Sequence, residues 1–168
     1  MSVAVREARP SDLAVALGLW RALQAEHEAL DGRYRLADDA DARWSASYRE
    51  WTRSPASRVW LAVGAGHAVG LATAHLYAPA PTFRPVPLVH VDDLYVAPAA
   101  RGSGVGRRLL DAARAWGRAE GAQHLQAGVL TANAGARAFW TREGGADYAV
   151  TVTLPLADGE DGGERSEE

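Results

Sequence analysis

The sequence has no cysteine and no lysine. Without cysteine there can be no disulfide, no thiolate metal site and no acyl-enzyme on sulfur. Without lysine there is no Schiff-base mechanism and no Walker-A phosphate loop, which depends on that residue. All eighteen basic residues are therefore arginines. No stretch approaches the roughly 20 apolar residues that a membrane-spanning helix requires. Val3 to Arg9 is charged and strand-like, unlike a secretory signal, so the expected location is cytoplasmic.

What is present fits one soluble domain. The chain has 168 residues, 48% of them hydrophobic and 23% charged, which is enough to build an ordinary core. The net charge of -3 is unevenly spread. The stretch 158–168 holds six acidic residues and one arginine, a local charge of -5, so the remainder is slightly basic. Its lack of apolar residues predicts a disordered acidic tail behind a domain at 1–157. No basic stripe suggests nucleic acid.

Periodicity predicts the elements in order. Val3 to Ala8 reads as a strand. A helix follows from Pro10-Ser11-Asp12 to about Leu30, with Ser11 as its N-cap. A second helix is expected over Asp39 to Arg53, with Trp44, Tyr48 and Trp51 at i, i+4 and i+7. Arg58 to Val63 and Ala68 to Tyr77 form a hairpin around Gly64-Ala65-Gly66. Ala78 to Pro87 carries four prolines and cannot be an internal strand. Leu88 to Val96 is a strand and Gly104 to Glu120 a helix closed by Gly121. Gln123 to Leu130 is a strand, Ala134 to Arg142 a short helix, and Tyr148 to Leu156 a last strand. Strands outnumber helices, and the helices are scattered between them. The fold class is accordingly α/β (α+β): a mixed, mainly antiparallel central sheet flanked by helices.

The segment Leu94-Tyr95-Val96-Ala97-Pro98-Ala99-Ala100-Arg101-Gly102-Ser103-Gly104-Val105-Gly106-Arg107 carries the most chemistry. A strand leads through a loop with three alternating glycines into a helix. Glycines permit positive φ and close backbone approach. The helix start turns free N–H groups and a positive dipole end toward the loop. A phosphate or pyrophosphate fits there, and Arg101 and Arg107 can add charge-assisted contacts. The dinucleotide pattern G-x-G-x-x-G fails, because Arg107 stands where its third glycine would be. What fits is R-x-x-G-x-G, from Arg101 to Gly106.

These residues resemble the acetyl-CoA-binding motif of the GCN5-related N-acetyltransferase (GNAT) superfamily. A second segment, Asn133-Ala134-Gly135-Ala136-Arg137-Ala138-Phe139-Trp140 followed by Gly144-Gly145, also resembles that family. The likeness runs from Val3 to about Leu156. It implies an acetyl-CoA-dependent N-acetyltransferase. Leu94, Tyr95 and Val96 would hold the pantetheine through their backbone. Arg101, Gly102, Ser103, Gly104, Val105, Gly106 and Arg107 would hold the pyrophosphate. Asn133 and Trp140 would line the opposite side of the coenzyme. Members of the family commonly form dimers through C-terminal strands, which here means Tyr148 to Leu156.

Acetyl transfer to an amine needs a base, since an alkylamine has a pKa of about 10. It also needs a donor for the developing oxyanion, which the family supplies from backbone N–H groups in the region of Leu94 to Val96. Asp92 and Asp93 are the leading bases, where polyamine-type members carry a Glu-Asp pair. Successive strand residues face opposite sides, so at most one should face the acceptor; Asp92 is favoured. Those carboxylates favour a small cationic, polyamine-like amine as acceptor. The family's usual tyrosine acid is replaced by Trp140, whose indole has no usable acidic proton. Three alternatives stay open for the leaving thiolate: water, a tyrosine from elsewhere (Tyr148 or Tyr95), or a chain that binds acetyl-CoA as a sensor or interaction module with little turnover.

His27, His75 and His90 read as packing residues. No H-x-x-x-H or His–carboxylate spacing suggests a metal site, so no metal is expected. Trp44, Tyr48 and Trp51 are better read as core than as a pocket wall. The acidic run Asp38-Asp39-Asp41 reads as a helix start. The Pro-rich loop with Phe83 and Arg84 is the expected determinant of acceptor choice.

Overall fold

A computed structural model of the chain describes residues 3–78, 82 and 86–154. Phe83, Arg84 and the acidic tail at 158–168 lie outside the described residues. No helix among those described is long and apolar enough to cross a membrane.

The sheet has five strands in sequence order: β1 (Val3–Glu7), β2 (Ser57–Gly64), β3 (His67–Tyr77), β4 (Leu88–Val96) and β5 (His124–Ala127). The first three pairings are antiparallel, and β4–β5 is parallel. Four helices complete the fold: α1 (Leu13–Leu30), α2 (Ala40–Trp51), α3 (Val105–Ala119) and α4 (Ala134–Arg142). The parallel pairing follows from the crossover through α3, which must carry the chain back to the start of β4.

Alternation along the strands sends side chains to two different cores. On one face, Trp60, Ala62, Ala72, Ala74, Val89 and Val91 meet Val105, Leu109, Ala113 and Trp116 of α3. Small alanines on the sheet let the helix sit close, and the rings of Trp60 and Trp116 meet edge-on at 5.8 Å. Full burial of Val105, Leu109 and Leu110 contributes roughly 1.5–3 kcal/mol for each. On the other face, Val59, Leu61 and Leu71 lie under Ala16 and Trp20 of α1 and Trp44 and Tyr48 of α2. Trp20 stacks on Trp44 at 5.2 Å, and the buried Tyr48 hydroxyl donates to the Arg9 carbonyl at 2.7 Å. Trp44 and Tyr48 are thus core residues, as their spacing implied.

Two expectations need correction. Ser11 does not cap α1. Pro10–Asp12 forms a 3-10 turn, and the Asp12 carboxylate accepts from the Arg9 N–H at 2.7 Å and from the Arg6 guanidinium at 2.8 Å. A charged acceptor displaces the hydroxyl here. Asp39 stands at the N-cap of α2 and Asp41 in its first turn, as expected of an acidic helix start, and they also pair with Arg43 and Arg21. Residues 148–154 form no strand. Their alternating pattern has strand character, but a strand exists only as part of a ladder, and within the chain this segment has no strand partner among the described residues. Tyr148, Val150, Val152 and Leu154 are left exposed.

Candidate active site

The site is built where β4 and β5 part. The two strands are paired from Leu88–His124 to Val91–Ala127 and no further. β4 runs on to Val96 with β3 on one side only. The β5-side backbone of residues 92–96 therefore has no ladder partner and opens on a cleft. Ordinary sheet sterics would leave such an edge to water or to a ligand that can accept and donate in the same way.

Past β4 the chain makes the 3-10 turn Pro98–Ala100 and enters the glycine loop. Gly102 and Gly104 have φ of +76° and +82°, the left-handed region that residues with a Cβ avoid. A Cβ built on either would meet nothing within 4 Å, so the loop has an open concave side. Gly106 serves differently: its Cβ position lies 3.2 Å from the Phe139 ring, so α3 and α4 touch there. The first backbone bond of α3 runs from Arg108 N–H to Gly104 C=O at 3.1 Å. The N–H groups of Val105, Gly106 and Arg107 are thus free at the helix start, aimed into the loop. An anionic pyrophosphate matches that donor set and its dipole.

The side chains of the loop are tied down around it. Ser103 Oγ donates to Ala100 C=O at 2.7 Å. Arg101 donates to Val96 C=O at 2.9 Å, pairs with Glu26 of α1, and lies over the Tyr95 ring. Arg107 donates to Glu143 at 2.9 Å. Both arginines thus brace neighbouring helices, with Glu26 in α1 and Glu143 at the end of α4. Asn133 caps α4, accepting from Ala136 N–H at 2.9 Å. Trp140 packs against the α3-side core and lies edge-on to Phe139. Leu94 and Val96 lean on the same core, while Tyr95 is buried. Tyr148 is 86% exposed, in a stretch without regular structure.

Asp92 and Asp93 are brought together in a way the sequence did not foretell. Thr73 pairs with Asp93 and Ala74 with Val91, so Asp92 is the extra residue of a β-bulge. The simple alternation that would send the two carboxylates to opposite faces fails at this point. Thr73 and His75 share one face of the regular strand β3. Asp93 bonds Thr73, and Asp92 bonds His75. Both aspartates therefore project to the side covered by α1 and α2.

Their surroundings differ. Asp93 is only 8% exposed. Its Oδ2 accepts from Thr73 Oγ1 at 2.7 Å, and its N–H donates to the same hydroxyl oxygen at 3.1 Å. Burial pushes its carboxyl up to about 6, helped by the nearby charge of Asp92 and opposed by the Thr73 hydroxyl. The indole N–H of Trp44 also lowers it slightly, though that N–H reaches no acceptor at full hydrogen-bond geometry. Asp92 is partly exposed and accepts from, or shares protons with, two imidazoles: His75 Nδ1 at 2.8 Å and His90 Nδ1 at 3.2 Å. These histidines are not packing residues. They form a polar cluster at the mouth of the cleft. The alternation His90-x-Asp92 was a readable signal, but the register that adds His75 was not.

Residues 19–145 match the acetyltransferase (GNAT) family. No curated protein matches the chain. Among solved structures, a mutant of the BH1408 protein from Bacillus halodurans superposes with a TM-score of 0.80 at 24% identity, over 92% of this chain and 99% of that one. The aminoglycoside N-acetyltransferase AAC(6')-Iy in complex with CoA gives 0.75 at 20% identity, over 92% and 94%. Glucosamine-6-phosphate N-acetyltransferase from Arabidopsis thaliana gives 0.67 at 11%, over 94% and 100%. At these identities the likeness is one of fold, and it covers sheet, glycine loop and flanking helices together. With the family match spanning most of the described chain, the conclusion is that this protein belongs to the acetyltransferase (GNAT) family and is an acetyltransferase.

Proposed function

We propose that the protein transfers an acetyl group from acetyl-CoA directly to a primary amine of a small cationic molecule. The observation that carries this is the juxtaposition at β4: an unpaired backbone edge over residues 92–96, continuous with a helix-start anion site, lies beside two carboxyl groups on the acceptor face. The open side of Gly102 and Gly104 leaves the loop room for a pyrophosphate. AAC(6')-Iy, whose structure holds CoA, shares this fold.

When bound, acetyl-CoA supplies the activated acetyl thioester. The free N–H groups of Val105, Gly106 and Arg107 and the α3 dipole hold its anionic end. The β4 edge around Leu94 to Val96 orients the rest and offers an N–H to negative charge developing on the acetyl oxygen. Asp92 attracts an ammonium acceptor and takes its proton, directly or through water. His75 and His90, bonded to Asp92, pass that proton toward solvent. Asp93, whose carboxyl burial pushes up to about 6, adds a second acid beside it. Burial of Tyr95 and the 86% exposure of Tyr148 favour water as the donor to the leaving thiolate.

The test is thiol release from acetyl-CoA with polyamines, aminoglycosides, amino sugars and peptide N-termini as acceptors. The absence of cysteine means the protein adds no thiol background. One cationic amine should give turnover that Asp92→Asn lowers by about 10²–10⁴-fold. Turnover only with peptide N-termini would remove the small-amine assignment. No turnover with a raised melting temperature in acetyl-CoA would make the chain a binding module. Neither effect would end the acetyl-CoA reading.

A further inference from the structure

We infer that His75, His90 and Asp92 form a binding site for a divalent transition-metal ion of the zinc class at the mouth of the acceptor cleft. The three residues bring two imidazole nitrogens and a carboxylate within 4.8 Å of one another. His75 and His90 are direct cross-strand partners on β3 and β4, with ring centroids 5.3 Å apart. Asp92 stands two residues from His90 and turns a separate oxygen to each ring, at 2.8 and 3.2 Å.

Two histidines and one carboxylate are a donor set that zinc accepts, with the fourth position left to water. Imidazole also suits nickel, copper and cobalt. At metal–ligand distances of about 2.0–2.2 Å, tetrahedral donors lie roughly 3.3–3.5 Å apart. The two observed nitrogen–oxygen separations, 2.8 and 3.2 Å, fall just short of that span, so small outward rotations of the side chains would admit an ion. The two histidines are paired across β3 and β4, and the bulge sets Asp92 beside them. Their side chains are 34–37% exposed, so an ion can enter and retain a solvent ligand.

The charge pattern points the same way. In this arginine-rich chain, Asp12, Asp31, Asp39 and Asp41 are each held by an arginine. Asp92, among the described residues, is bonded only to the two imidazoles. Buried Asp93 adds negative charge beneath it. The cluster thus combines acceptor atoms with a negative field and, among the described residues, has no arginine bonded to it. The existence of the site does not depend on acetyl transfer. Its consequence does: if Asp92 is the base, metal and acceptor amine compete.

The test is titration of the full-length protein with Co²⁺, read by visible absorption, and with Zn²⁺ against a chromophoric chelator. The wild type should bind one ion per chain. His75→Gln, His90→Gln and Asp92→Asn should each weaken binding by about tenfold or more, while His124→Gln on β5 leaves it unchanged. Circular dichroism and melting curves show whether each variant is folded. The inference is overturned if folded variants bind like the wild type, if His124→Gln abolishes binding, or if the wild type binds nothing below about 1 mM. Binding is read without turnover, so its failure is separate from failure of the acetyltransferase reading.

Discussion

Asp93 should make the protein less stable above about pH 6 than its core alone would allow. Its carboxyl rises from 3.8 to about 6 on folding because it is buried beside Asp92. That difference is worth about 3 kcal/mol between the protonated and ionised forms. Between about pH 4 and pH 6 the native state holds a proton that the unfolded state has released. The slope of stability with pH is therefore negative for this group, and its cost is complete above about pH 6. Asp12 and Asp31, drawn down to about 2 by Arg6 and Arg33, act in the opposite sense and only at lower pH. Comparison with Asp93→Asn isolates the effect, because the amide oxygen can still accept from Thr73 Oγ1 while carrying no charge. Urea denaturation at about pH 4 and at about pH 8 should give nearly equal offsets from other causes. The variant should gain up to about 3 kcal/mol over the wild type between the two, which is roughly 6–12 °C in melting temperature for a chain of this size. Parallel stability curves across that range would refute the claim that burial dominates the carboxyl.

Gly104→Ala places a Cβ at φ +82° and should cost about 1–2 kcal/mol in strain, with loss of the thermal shift produced by acetyl-CoA; differential scanning fluorimetry with and without ligand reads both. Asn133→Ala removes the cap bond to Ala136 N–H and should destabilise by about 1 kcal/mol in chemical denaturation. If Asn133 contributes only as a cap, Asn133→Ser restores stability and leaves acetyl-CoA affinity alike in all three proteins. Tyr148, Val150, Val152 and Leu154 alternate along an exposed segment, and a second copy of the chain is the expected cover. Light scattering should give twice the chain mass, reduced to one by the pair Val150→Asp and Val152→Asp. A wild type that stays monomeric at high concentration would refute it.

The elements were legible where local physics decides. β4 was expected and observed at Leu88–Val96, and α4 at Ala134–Arg142, because turn residues bound both. The glycine loop was legible because only glycine meets its backbone demands at 102 and 104. Non-local choices were not legible. β5 was expected to reach Leu130 and stops at Ala127, since its length depends on where β4 turns away. The final strand was expected from alternation alone, which does not say whether a partner edge exists. The pairing of Arg101 with Glu26 and of Arg107 with Glu143, residues 75 and 36 positions away, was not foreseen. Contacts across such distances leave no local pattern.

The bulge at Asp92 matters most for chemistry, and it is the least local feature of all. It arises from how β4 meets β3, not from either strand alone. One inserted residue moves a carboxylate to the face its neighbour already occupies. It thereby creates two acids of unlike character from adjacent identical residues. Asp93, under α2, loses water and keeps its proton to about pH 6. Asp92, at the mouth, meets two imidazoles that a regular ladder would have left facing nothing. The same insertion sits where β4 loses β5, so the edge that can orient a thioester begins at the residue that can take the proton. A bulge that positions a base and opens a strand edge in one step has a mechanical consequence. Removing it by deleting Asp92 would restore alternation, carry Asp93 away from Thr73 or the apolar residues before it out of the α3 core, and should abolish both folding cooperativity and transfer, whereas Asp92→Asn keeps the bulge and the fold while it loses transfer and weakens metal binding.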